Sequence, residues 1–227
     1  MRRNWGTILL QKIELFSFII VSAFSIYASI NDLRELNYPK VAEYVLYAMA
    51  IFLFPLHLYS IDFSSQMMLS AIANVVLTFI VLVVLYKLGC IGLGDVKYLL
   101  TISVCFPSYP VSLASFLSKF TGFIPNIARL LPFSFVIITN TLYIIPMELT
   151  MLDLVNNQKM RKLYSIYSIA LLFLSINFSP KIFLWLPIPS LITHIRKNGY
   201  VIPLIPSIFI ALIFSIIFGD LSMWLCR

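Results

Sequence analysis

Apolar residues fill this chain in long blocks separated by short polar runs. The first block runs from about Ile13 to Ile30 and stops at "NDLRELNYPK". The second covers Val41 to Tyr59, and "SIDFSSQ" turns the chain back. The third extends from Met67 to Leu88. "GCIGLGDVK" interrupts the pattern, and a fourth block begins near Asp95 and continues through "YLLTISVCF" into "VSLASFL". Pro107 and Pro110 kink or split this block, because proline removes a helical donor. "SKFTGFIPNIARLLP" reads as a loop, partly re-entrant, and a fifth block covers Phe133 to Leu152 despite Pro146. A last block runs from Ile202 to Phe218.

Each block approaches the ~20 apolar residues that a bilayer-spanning helix needs. The pattern therefore predicts an all-α polytopic membrane protein with about six transmembrane helices. Residues 163–199 fit it least. "LYSIYSIALLFLSINF" is short for a span, and "KIFLWLPIPSLITHIRKNGY" holds too many prolines and charges to cross. They predict a small cytoplasmic or interfacial segment before the last helix, or small β-rich structure. The N-terminal "MRRNWGTILLQK" lacks a following small-residue cleavage site, so it reads as the start of a retained first span rather than a signal peptide. No internal repeat or low-complexity linker divides residues 1–227, which predicts a single membrane-embedded domain.

Composition agrees with the pattern. The chain is 61% hydrophobic and 11% charged, well below the ~25% charged residues of soluble domains. Its net charge of +7 is then a matter of topology rather than of nucleic-acid binding, and no nucleic-acid partner is predicted. Arg34, Lys40, Lys87, Lys97, Lys159, Arg161, Lys162, Lys181, Arg196 and Lys197 fall after the first, third and fifth blocks. They outnumber Arg2, Arg3, Lys12, Lys119, Arg129 and Arg227 on the other side, so the positive-inside rule turns the first set to the cytoplasm. The three cysteines, Cys90, Cys105 and Cys226, form no CxxC pair. His57 and His194 stand apart, as interfacial or packing residues. No metal site and no cofactor are predicted.

Most of the nine acidic residues read as solvated loop charges. Asp32 and Asp95 do not. Asp32 closes the first block and Asp95 opens the fourth, with two crossings between them. Both therefore lie at the same membrane face, at helix ends. An ionisable group at membrane depth marks a pathway or a site. Two carboxylates held close share one proton, which supplies a base to activate water and an acid to protonate a carbonyl oxygen. Gly92 and Gly94 remove side chains just before Asp95, allowing a sharp turn and close approach to a neighbour.

At these residues the sequence resembles a known family. "GLGD" at 92–95 matches the GxGD signature of membrane aspartyl peptidases, and "DLRELNYPK" at 32–40 is similar to the aspartate–arginine segment of the type IV prepilin peptidases. Within that family it resembles the archaeal branch, the preflagellin and prepilin peptidases, because of the extra segment at 153–199. Tyr38 departs from the isoleucine common before the proline. The resemblance implies an aspartic endopeptidase with Asp32 and Asp95 as catalytic dyad and Gly92 and Gly94 as active-site turn. Which aspartate activates water stays open. Arg34, Glu35 and Lys97 become candidate contacts for substrate or lipid headgroup, and Glu35 and Glu43 candidates to attract a basic stretch.

The implied partners are the lipid bilayer and precursors of archaellins and type IV pilin-like proteins with class III signal peptides. They are cut at the cytoplasmic face of the plasma membrane. By the span count Asp220 lies on the opposite face and is structural. Paired intramembrane carboxylates also serve ion or proton transporters, but those usually show inverted repeats and carboxylates near mid-membrane. A presenilin-like protease is a third reading, on the strength of "PLIP" at 203–206.

Overall fold

The computed structural model describes residues 2–35, 38–60, 65–122, 132–151 and 202–221, with scattered positions between 166 and 195. Helices follow one another throughout: α1 (Arg2–Glu35), α2 (Lys40–Ser60), α3 (Ser65–Lys87), α4 (Leu93–Cys105), α5 (Val111–Thr121), α6 (Phe133–Met151) and α7 (Leu204–Phe218). Ile8–Glu35, Lys40–Tyr59 and Met68–Lys87 are long and apolar enough to cross a membrane, and Phe133–Ile145 and Leu204–Phe218 are shorter apolar helices. The architecture is that of an all-α polytopic membrane protein. With 34 residues, α1 is about 51 Å long and outreaches the ~30 Å hydrocarbon layer.

Lipid tails are as apolar as leucine, so hydrophobicity alone does not pack membrane helices together; small residues let them approach. Ser25, Ala28 and Ser29 on α1, and Ala42 and Ala50 on α2, are buried, whereas Ile19, Ile51, Phe52, Phe79 and Ile80 face outward. α1 packs against α2, α5 and α7; α4 against α2 and α3; and α6 against α7.

Polar groups then fix the contacts. Asn140 on α6 donates to Ser215 Oγ at 2.8 Å and to the Gly219 carbonyl at 2.9 Å. Its Oδ1 accepts the Leu221 N–H at 3.0 Å. One buried amide thus satisfies the end of α7, as the membrane interior demands.

The predicted break at Pro107 and Pro110 divides the fourth block into α4 and α5. The orphan Pro107 carbonyl is taken by Asn74 Nδ2 at 3.2 Å. Tyr109 Oη bridges to the Ser215 and Ile216 carbonyls at 3.0 Å each. Beyond the break, Glu14 of α1 accepts the Leu113 N–H in the first turn of α5 at 2.7 Å. Glu14 is buried, so the view of the remaining carboxylates as loop charges fails there. A helix start with no cap of its own recruited the carboxylate from α1.

Two further expectations change. Ser118–Thr121, expected in a loop, form the last turn of α5, which ends where Gly122 turns left-handed at φ 72°. In 163–199, positions 166, 169, 170, 191, 192, 194 and 195 are helical, not β. Leu191, Ile192 and Ile195 are buried, so this part of the segment packs into the core. The rest of 163–199, the region 123–131 and Cys226 lie outside the described residues.

Candidate active site

The turn that delivers Asp95 begins at the end of α3. The Cys90 N–H bonds the Leu85 carbonyl and the Gly89 N–H the Tyr86 carbonyl, each at 2.9 Å. Gly89 sits between them at φ 75°. This is a Schellman close, with glycine at the left-handed position because a Cβ is strained there. The sharp turn therefore belongs to Gly89, not to Gly92, whose φ of −82° suits any residue.

Gly92 instead caps α4. Its N–H donates to Asp95 Oδ2 at 2.7 Å, one half of a capping box with the aspartate three residues on. α4 starts at Leu93 rather than at Asp95, which places Asp95 in the first turn, buried. Gly94 has the role of close approach. A Cβ there would meet Tyr38 Cβ at 3.0 Å. Tyr38 is buried against Tyr98, with ring centroids 5.9 Å apart. Its hydroxyl has no hydrogen-bond partner among the described residues. Burial, aided by the neighbouring Tyr98, pushes its phenol above the usual tyrosine range.

Asp32 lies in the last turn of α1 and is as buried as Asp95, each 7% exposed. Its Oδ2 accepts the Ile205 N–H at 3.1 Å. Ile205 is the second residue of α7, behind the N-cap Pro203, so the carboxylate meets one of the orphan donors of that helix. The helices that carry the two aspartates are tied together lower down, where the Tyr98 hydroxyl donates to Ser25 Oγ. Asp32 and Asp95 are thus brought to one end of the bundle. There the starts of α2, α4 and α7 converge, and their N-terminal dipoles add positive potential.

The other candidates divide. Lys97 Nζ pairs with Glu43 Oε1 at 2.7 Å, joining α4 to α2. Lys97 is therefore engaged with a carboxylate of its own chain, and Glu43 is not an open charge. Arg34 and Glu35 are exposed on the last turn of α1, at the mouth of this end. Asp220 follows α7, whose 15 residues span about 22 Å, so it lies at the end opposite the aspartates, buried. His57 is buried with its ring 6.4 Å from Phe106, a packing residue rather than an interfacial one. Among the described residues no cluster of His, Cys, Asp or Glu converges as metal ligands would.

Sequence reasoning missed Ile205, Ser25, Tyr98 and Glu14. One signal was present. Pro203 before an apolar run marks a helix start with unmet N–H groups, which asks for a nearby acceptor.

Comparison with curated proteins and with solved structures gives no match. The family model of the type IV leader peptidases does match, across residues 19–127, from α1 to just past α5. That stretch contains Asp32, the Gly92–Asp95 turn, Tyr38 and the Lys97–Glu43 pair. Over residues 19–127 the chain is thus similar to the type IV leader peptidase family.

Proposed function

We propose that this protein is a membrane aspartic endopeptidase that removes the short basic leader from archaellin-like or type IV pilin-like precursors. The observation that carries the reading is the pair of buried carboxylates, Asp32 and Asp95, at one end of the bundle and inside the stretch that matches a peptidase family. The remaining buried acidic side chains among the described residues, Glu14 and Asp220, lie toward the other end of the bundle and outside residues 19–127.

In this reading the two carboxylates hold one proton between them. The ionised one takes a proton from water as the oxygen attacks the scissile carbonyl carbon. The protonated one donates to the carbonyl oxygen, giving a neutral tetrahedral diol. Collapse of the diol breaks the C–N bond, the amine leaves with a proton, and the dyad returns to its singly protonated state. The N–H groups of Gly92 and Ile205 each hold one carboxylate oxygen. Fixed donors of this kind pre-set geometry before substrate arrives.

A substrate with a hydrophobic helix after its cleavage site stays in the bilayer and presents the scissile bond at the interface. The aspartates stand at a helix-end level that suits such a bond. The excess of basic residues after the first, third and fifth blocks supports a cytoplasmic position for this end. Arg34 and Glu35, exposed beside it, are the proposed contacts for leader charges or lipid headgroups.

The test is direct. The purified protein in liposomes is incubated with a precursor bearing a type IV pilin-like leader, and cleavage is followed as a small downward gel shift. The reading requires the shift with the native protein and its loss with Asp32→Asn and with Asp95→Asn. Cleavage that survives either change removes the dyad.

A further inference from the structure

An apolar cavity of about 40 Å³ lies between α3, α4, α6 and α7. Its walls include Cys90 and Ile91 from the turn before Gly92, Leu99 one turn after Asp95, and Leu204 and Ile208 at the start of α7. Leu142 of α6, a helix that carries neither aspartate, helps form another wall. Three of these residues have a special place. Leu204 directly precedes Ile205, whose N–H holds Asp32. Cys90 and Ile91 directly precede Gly92, whose N–H holds Asp95. The cavity is therefore lined by the chain neighbours of the backbone anchors of both carboxylates.

The volume exceeds the ~10–15 Å³ that one water-sized group needs. Among the described residues the lining is almost wholly aliphatic, with Thr141 and Cys90 its only polar side chains, so water gains little there and a hydrocarbon group loses nothing. A site between helices, apolar and with backbone polar groups at its rim, has the make-up of a small-ligand pocket.

We infer that this cavity receives one small apolar side chain of the substrate, from a residue flanking the scissile bond, and so sets which precursors are cut. The inference rests on the peptidase reading above. A peptide whose carbonyl lies between the aspartates has its flanking side chains within a few ångströms of the two anchors. The alanine-to-leucine size range fits the volume, whereas an aromatic ring or a charged group does not.

The test has two arms. In the first, full-length protein in liposomes cleaves a panel of precursors that carry Gly, Ala, Val, Leu or Phe on either side of the scissile bond. Leu142→Ala enlarges the far wall and Leu142→Phe fills it. At one flanking position the first is expected to move the optimum of kcat/KM to a larger residue and the second to a smaller one. The ratio between neighbouring sizes should change about tenfold or more. Active variants with the native ranking at both positions overturn the inference.

The second arm needs no cleavage and no Leu142 variant. Cys105→Ala and Cys226→Ala leave Cys90 as the sole thiol, and Asp32→Asn prevents turnover. A bound valine precursor is expected to slow modification of Cys90 by methyl methanethiosulfonate at least fivefold, and a glycine precursor to leave it unchanged. Protection without cleavage by the native protein keeps the cavity as a side-chain site and removes the peptidase reading. Cleavage with an unmoved ranking and an unprotected Cys90 does the reverse. Neither cleavage nor protection removes both.

Discussion

Tyr38 occupies the space that Gly94 leaves open: a Cβ on Gly94 would stand 3.0 Å from Tyr38 Cβ. The clash is with a main-chain-attached carbon, not with the movable end of a side chain. Gly94→Ala gains helix propensity of about 1 kcal/mol but forces α4 away from the α1–α2 connection. It is expected to lower thermal stability in detergent and to cut cleavage about tenfold or more, since a shift near 1 Å at a reacting group has that scale of effect. Tyr38→Ala keeps the Cβ and gives no relief. Tyr38→Gly removes it, so Gly94→Ala should cost less in that background. Equal cost in both backgrounds would show that the contact is not what constrains position 94.

Tyr38→Phe bears on the same packing. The buried hydroxyl has no hydrogen-bond partner among the described residues, and an unmet buried polar group costs about 1–3 kcal/mol. Its removal should raise the unfolding temperature or leave it unchanged. A clear drop would reveal a partner for the hydroxyl.

The dyad variants carry the mechanism. Asp32→Asn and Asp95→Asn keep shape and can still accept the Ile205 and Gly92 N–H groups, yet neither can exchange the proton. Each should reduce cleavage by roughly three orders of magnitude or more, and the double variant little further, because the two groups act as a unit. Additive losses would mean that they act separately.

Glu14 separates structure from catalysis. It is about 27 Å along α1 from Asp32 and holds the start of α5. Glu14→Gln retains an acceptor and should be tolerated. Glu14→Ala leaves the Leu113 N–H unmet and should lower stability by about 1–3 kcal/mol, with kcat of the surviving folded protein near native. A selective fall in kcat would tie α5 to the reaction.

Accessibility tests the shared end. In a cysteine-free background, cysteines at the exposed positions Glu35 and Leu93 should react with a membrane-impermeant thiol reagent only from the cytoplasmic side. One at Thr121 should react only from the other side. Labelling of 35 and 93 from opposite sides would leave the two carboxylates unable to meet.

Much of this was legible in the chain. Block lengths fix which segments can cross, and proline chemistry marked the break at 107–110. The aspartates followed from counting crossings, which needs no long-range information. What escaped were pairings set by tertiary packing. Nothing local in "QKIELF" says that Glu14 will meet a helix start 99 residues on. Gly92 drew attention as a turn residue because it stands just before Asp95, three positions away, while the left-handed position fell at Gly89, where α3 closes. Lys97 read as a topology charge or a headgroup contact because its partner, Glu43, is 54 residues away.

The bond between Asp32 and Ile205 spans 173 positions of the sequence. At 5–20 residues per second a ribosome needs roughly 10–35 s to travel from one to the other. Through that interval the nascent α1 holds a carboxylate whose amide partner has not yet been made. Under the proposed chemistry, a chain halted or cut before Ile205 lacks the donor that fixes one of its two acids. In that reading the anchored pair is complete only once α7 has inserted, later than the helices that bear the aspartates.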